Sequence, residues 1–154
     1  MVRSILLISG GIALSFALMN AGNWIILHCT TYGAIERENP NRTWQEFEYM
    51  NRREAEMRQR YGGSYHELFW RAVWLNKAAI KPLIALIVGV LIGLLARRRA
   101  WALAILSLVP FLTVSLGEPN VYFLWMNSLF CIGYLFVAIT SAVVTARLLH
   151  RRAA

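Results

Sequence analysis

Four long apolar runs constrain this chain more than any other feature. Residues 5–27, 100–117 and 121–146 contain no charged side chain, and residues 78–96 contain only Lys81. A helix that crosses a bilayer needs about 20 consecutive apolar residues. Because lipid offers no partner to backbone amides, such spans are helical. We therefore expect an all-α integral membrane protein with four transmembrane helices. The expected spans are about 5–28, 78–96, 100–117 and 121–146.

The segment between the first two spans, residues 29–77, is predicted to be helical and to lie outside the membrane. Thr43 and Glu46 have the spacing of a capping box, and the helix that they open should end at Gly62. Ser64 and Glu67 form a second capping box. Pro82 then marks the bend or the entry into the second span. The fold is thus a single membrane domain over 1–154, with an amphipathic helical segment between its first and second spans.

Apolar side chains in this outer segment are spaced for docking. On a helix that starts near Thr43, several of them fall within one arc at about 100° per residue. Farther along, tryptophans favour the level of the lipid headgroups. We expect these side chains to contact the bilayer surface or a partner protein. The expected docking residues are Trp44, Phe47, Met50, Met57, Trp70 and Trp74.

The basic residues predict the orientation of the spans. With four spans, Arg3, residues 97–99 and residues 147–152 share one side, which carries seven basic and no acidic side chains. The other side carries nine basic and eight acidic ones. The positive-inside rule therefore places both termini in the cytoplasm. If the first run were instead a cleaved signal peptide, three spans would remain. Fourteen arginines against two lysines favour a GC-rich bacterial source, and thus an inner membrane.

The net charge of +8 does not indicate a nucleic-acid partner. A nucleic-acid-binding protein gathers its positive charge on one soluble face. Here the unpaired positive charge lies where apolar runs end, so its expected partner is the bilayer, through anionic headgroups. We expect no nucleic acid as a partner.

The interiors of the four spans contain no Asp, Glu, Arg or His. Lys81 lies in the first turn of its span and is expected to extend its ammonium outward. A proton-coupled transporter usually needs an embedded carboxylate, so this composition argues against one. The polar side chains at depth either join helices through hydrogen bonds, the favoured interpretation, or line a polar path. The residues of that possible path are Asn20, Asn23, Asn127 and Tyr134.

Small residues predict close helix packing. Gly89 and Gly93 form a GxxxG match in the second span, and Gly10 and Gly11 give the first span a comparable smooth face. Such faces allow two helix backbones to approach each other. The contact could be within this chain or with another subunit.

The histidines and cysteines do not predict a metal or cofactor site. His28, Cys29 and His66 could meet at the outer surface, but their spacing matches no known zinc pattern. Cys131 lies at bilayer depth, so a disulfide with Cys29 is not expected. We expect no cofactor.

These observations favour an accessory or scaffolding, non-catalytic subunit of a larger membrane assembly. Its partners would be other membrane subunits or further copies of the chain. The first alternative is a small oligomeric transporter, channel or pore-forming protein that uses the polar path. The second alternative is a membrane-embedded enzyme with His66 and Glu67 at the outer interface, which only the residue types support.

Overall fold

The computed structural model describes residues 2–38, 54–96, 99–116 and 124–151, and all regular structure in these ranges is helical. The helices are α1 (Val2–Cys29), α2 (Thr31–Glu38), α3 (Glu54–Tyr61), α4 (Tyr65–Leu75), α5 (Lys81–Leu95), α6 (Ala100–Leu116) and α7 (Leu124–Arg151). The chain forms two compact units. We call Met1–Met19 with Ile80–Ala154 the bundle, and Asn20–Ala79 the insert.

Three helices in the described ranges are long and apolar enough to cross a membrane. They are Val2–Cys29, Tyr65–Leu95 and Met126–Leu149, with 28, 31 and 24 residues. At about 1.5 Å per residue each exceeds the roughly 30 Å hydrocarbon core. The fourth apolar helix, α6, is shorter, with 17 residues. The predicted all-helical class and three of the four predicted spans are thus matched by helices of sufficient length and hydropathy.

The second of these helices differs from the prediction of a separate interfacial helix followed by a span. Tyr65–Leu95 is continuous, and a five-residue π-helical segment, Asn76–Ile80, joins α4 to α5. Pro82 lies in the first turn of α5. Proline lacks an amide hydrogen and crowds the carbonyl four residues earlier. The wider π turn leaves room for that ring, so the helix passes Pro82 without ending.

Within the bundle, α5 and α7 are parallel and pack through small residues. A β-carbon on Gly89 would lie 2.5 Å from the carbonyl oxygen of Ala138, and one on Gly93 would lie 2.5 Å from that of Ala142. Residue numbers at the contacts therefore increase in the same direction along both helices, as expected for a parallel pair. Helix α6 packs against both of them and completes the core. Fully buried core residues are Ala85, Val88, Ala104, Leu108, Phe111, Ala138 and Ala142.

The N-terminal part of α1 runs antiparallel to α5. The Arg3 guanidinium donates to the Leu95 carbonyl at 2.8 Å, where α5 ends and its carbonyls lack helical partners. Farther along, a β-carbon on Gly11 would lie 2.5 Å from the Ser107 hydroxyl oxygen. The start of α1, the connection between α5 and α6, and the end of α7 consequently lie at the same end of the bundle.

The insert has an apolar core of its own, formed by Ile35, Met57, Tyr65 and Leu68. Helix α3 ends as predicted, since Gly62 adopts a φ of +73° and its amide donates to the Arg58 carbonyl at 3.0 Å. A positive φ is readily adopted only by glycine, which is why glycine often terminates helices.

The start of α4 also agrees with the sequence. The Ser64 hydroxyl accepts from the Glu67 amide at 3.2 Å, and the Glu67 carboxylate accepts from the Ser64 amide at 3.1 Å, completing the predicted capping box. The earlier box predicted at Thr43 lies outside the described residues.

Candidate functional site

The end of α1 and the start of α2 form a tight elbow in the insert. The Thr30 hydroxyl donates to the Ile26 carbonyl at 2.6 Å and accepts from the Gly33 amide at 3.0 Å. A side chain at Gly33 would overlap the carbonyls of Ile26 and Leu27, so only glycine fits there. Arg37 donates to the Leu27 carbonyl. These contacts hold α2 against the end of α1.

This elbow and α4 enclose an open groove of about 340 Å³. Its walls are mostly apolar, and three side chains offer hydrogen bonds: Asn23, Tyr32 and Asn76. A concave, largely apolar surface with a few polar groups is typical of a binding site. The lining residues are Asn23, Ile26, Leu27, Tyr32, Gly33, Ala72, Val73 and Asn76.

Polar contacts brace the helices behind the groove. The Tyr65 hydroxyl donates to the Glu36 carboxylate at 2.7 Å, and the Tyr61 hydroxyl donates to the Glu38 carboxylate at 2.9 Å. Partial burial and the hydrogen bond to Glu38 raise the pKa of Tyr61 above its usual value, so this phenol keeps its proton. The rings of Tyr32 and Phe69 also make a T-shaped contact, with 5.6 Å between their centroids. The groove is therefore preorganised by α2, α3 and α4 together.

The residues predicted for docking have different environments. Met57 is 7% exposed and belongs to the core of the insert, so the structure uses it for internal packing. Trp70 is half-buried and donates to His66 at 2.9 Å, whereas Trp74 is 49% exposed. The sequence pattern could not separate these cases, because a stripe that packs internally has the same spacing as one that binds a partner. Trp44, Phe47 and Met50 lie outside the described residues.

Polar side chains are buried at the end of the bundle that lies opposite Arg3. Lys81 and Asn127 are each 2% exposed, and Ser115 and Tyr134 are each 3% exposed. The prediction that Lys81 extends outward is therefore wrong, because its side chain is buried. Its position in the first turn predicted access to the surface, but α5 continues from α4 without a break, so Lys81 is not at a free helix end.

The register of the bundle places these polar groups at similar depth. At about 1.5 Å per residue, Lys81 lies about 12 Å along α5 from Gly89, the residue that contacts α7 at Ala138. Asn127 lies about 16 Å along α7 from Ala138, in the same direction. An ionisable group within membrane helices is by default a candidate for function.

The predicted polar path is not assembled within either unit. Asn127 and Tyr134 are buried in the bundle, whereas Asn20 and Asn23 are exposed residues of the insert. Asn23 lines the groove instead. The GxxxG pair, Gly89 and Gly93, makes its contact within the chain, as does Gly11, while a β-carbon on Gly10 would meet no atom within 4 Å.

Metal-binding side chains do not cluster in the described part of the chain. No group of three His, Cys, Asp or Glu side chains there could hold a metal ion. Cys29 is exposed on α1, and Cys131 is buried in the bundle. His28 stacks on Trp24, with 4.5 Å between ring centroids.

Comparison of the chain with protein-family models, curated proteins and solved structures finds no match.

Proposed function

We propose that four helices of this chain cross a membrane: α1, the Tyr65–Leu95 helix, α6 and α7. Helix α6 measures about 25 Å, slightly less than the hydrocarbon core. It follows α5 after only four residues, so the two are antiparallel neighbours. Because α6 packs against α5 and α7, it lies alongside two helices that are long enough to span the membrane.

The distribution of charge supports a cytoplasmic location for both termini. Arg3, Arg99 and Arg147 all belong to the end of the bundle where α1 starts and α7 finishes. Positive charge is retained on the cytoplasmic side during insertion. The segment that joins α1 to the Tyr65–Leu95 helix would then lie on the opposite side of what we propose to be a bacterial inner membrane.

In this membrane the chain acts as an accessory, non-catalytic subunit of a larger assembly. The observation that carries this proposal is the groove of the insert, an apolar concavity on a segment with its own core. A partner helix or strand seated there would bury the apolar walls, and the amides of Asn23 and Asn76 would set its register. The insert would thus be the amphipathic docking segment, and the bundle its anchor.

Purification in mild detergent, with the molar mass measured by light scattering, tests this proposal. Wild-type protein should elute with a partner, or with further copies of itself, at fixed stoichiometry. Val73→Glu introduces a charge into the apolar wall and should reduce the bound partner at least tenfold, since an unpaired charge buried at an interface costs several kcal/mol. Arg71→Glu places the same side chain on an exposed position of α4, outside the groove, and should leave the complex intact.

Two results would contradict docking through the groove. One is a wild-type protein that remains a monomer at every detergent concentration that preserves its helices. The other is equal loss of the partner from Val73→Glu and Arg71→Glu.

A second candidate, a small oligomeric transporter or channel, is favoured by the burial of Lys81. A lysine with Asn127 at similar depth could bind an anionic solute during passage. Lys81→Met removes the charge at similar volume, and Asn127→Leu removes the amide. Both should abolish anion flux into liposomes, whereas Gly133→Ala, at an open position on α7, should not. Flux that persists in the first two variants eliminates this candidate.

A further inference from the structure

A second groove lies within the bundle, between the N-terminal half of α1 and α5. It has a volume of about 230 Å³ and is distinct from the groove of the insert. Every residue along it is aliphatic or glycine, so it offers no side-chain hydrogen bond. The lining residues are Leu6, Leu7, Gly10, Gly11, Leu14, Val88, Leu91, Ile92 and Leu95.

Glycine keeps this groove open. Gly11 lies against Ser107 and brings α1 onto α6, whereas Gly10 faces open space, with no atom within 4 Å of the position of a β-carbon. The contact at Gly11 therefore holds the two walls together while Gly10 leaves a gap beside it. Along α1 the groove extends from Leu6 to Leu14, a length of about 12 Å.

Positive charge lies at one end of the groove. The Arg3 guanidinium caps the Leu95 carbonyl there and uses one of its five N–H donors in that bond. Arg99 is exposed at the start of α6, and the sequence places Arg97 and Arg98 just before it. Residues 1–35 and 82–117 contain no Asp or Glu, so no acidic residue of these stretches neutralises the charge.

We propose that this groove binds one acyl chain of an anionic phospholipid, whose phosphate is held by Arg3 and Arg99. The aliphatic walls match an acyl chain, and the arginines match a phosphate, which guanidinium groups bind in a bidentate manner. The apolar groove would therefore select for the acyl chain, and the basic end would select for the anionic headgroup. The site belongs to the bundle alone, and so does not depend on the partner proposed for the insert.

Native mass spectrometry of the full chain in detergent tests this inference. The protein is titrated with phosphatidylglycerol or with phosphatidylcholine that has the same acyl chains. Phosphatidylglycerol should bind at least tenfold more tightly. Arg3→Gln and Arg99→Gln should each weaken that binding about fivefold, because one arginine near an anionic headgroup contributes about 1 kcal/mol.

Gly10→Leu tests the groove itself. A β-carbon at this position would meet no atom within 4 Å, and the rest of the leucine side chain would occupy the groove, so the variant should fold and lose at least tenfold in lipid affinity. Gly133→Leu is the matched control, since it adds the same side chain at an open glycine of α7 outside the groove. Circular dichroism and size-exclusion profiles establish that both variants fold.

Several outcomes would overturn the proposal. These are equal affinity for the two lipids, unchanged binding in Gly10→Leu, and equal losses in Gly10→Leu and Gly133→Leu. A dimer that dissociates in Gly10→Leu would overturn it as well, because the groove would then hold a second copy of the chain. If Gly10→Leu fails to fold, the two arginine variants decide: unchanged phosphatidylglycerol binding in both rejects the site, and the fivefold losses support it.

Discussion

Substituting alanine for Gly93 should destabilise the bundle, although alanine is the better helix former. A β-carbon at this position would lie 2.5 Å from the Ala142 carbonyl oxygen and 2.8 Å from the β-carbon of Thr145. Ordinary contact begins at about 3.4 Å, so α5 and α7 must separate by almost 1 Å. A gap of that size forfeits about a quarter to a half of the dispersion energy of each contact along the interface.

The magnitude follows from two opposing effects. Overpacking a tight interface costs about 1–3 kcal/mol, while replacing glycine by alanine within a helix contributes about 0.5–1 kcal/mol in the opposite direction. We therefore expect Gly93→Ala to lower the free energy of unfolding by about 1–2 kcal/mol. Gly133→Ala, on the open side of α7, should show only the favourable effect. The two substitutions should therefore change the free energy of unfolding in opposite directions.

Unfolding of the purified protein by a denaturing detergent, followed by tryptophan fluorescence, measures both effects. Circular dichroism provides an independent signal for loss of helix. Gly93→Ala should unfold at a lower detergent fraction than wild type, and Gly133→Ala at a higher one. If Gly93→Ala is stabilised as much as Gly133→Ala, then α5 and α7 do not approach as closely as described, and the packing argument fails.

Three further predictions concern the insert and the orientation of the chain. Met57→Ala should destabilise the insert by about 2–4 kcal/mol, because the side chain is 7% exposed in its core, and faster amide exchange across α3 would report this loss. Ser64→Ala removes the cap of α4 and should cost about 1 kcal/mol, measured as faster amide exchange in the first turn of α4; unchanged exchange would contradict the cap. A membrane-impermeant maleimide should label Cys29 in intact bacterial cells without permeabilisation and should not label Cys29→Ser, because Cys131 is buried; labelling of wild type only after permeabilisation would reverse the proposed orientation.

Much of the local structure could be predicted from the sequence. The helical class follows from the apolar runs, since a bilayer permits few other solutions. The end of α3 at Gly62 and the cap at Ser64 were also predictable, because each depends on residues within one helical turn. The continuous path past Pro82 was not, since a proline is compatible both with a break and with a π turn.

The candidate sites were less predictable, because they depend on which faces meet. Gly89 and Gly93 were recognisable as a packing motif, but the choice of α7 as their neighbour required the register of two helices about 50 residues apart in sequence. Neither groove has a sequence signature, since each is lined by side chains from separate helices.

Composition and periodicity therefore specify that the described part of the chain is helical, where its apolar helices lie and where two of its shorter helices begin or end. These properties arise from long apolar runs or from contacts within one helical turn. Packing specifies that Lys81 and Met57 are buried, that Gly10 faces a gap and that the end of α1 and α4 line one groove. Burial and concavity depend on the surfaces of neighbouring helices, and residues distant in the chain acquire a common site only when those surfaces pack.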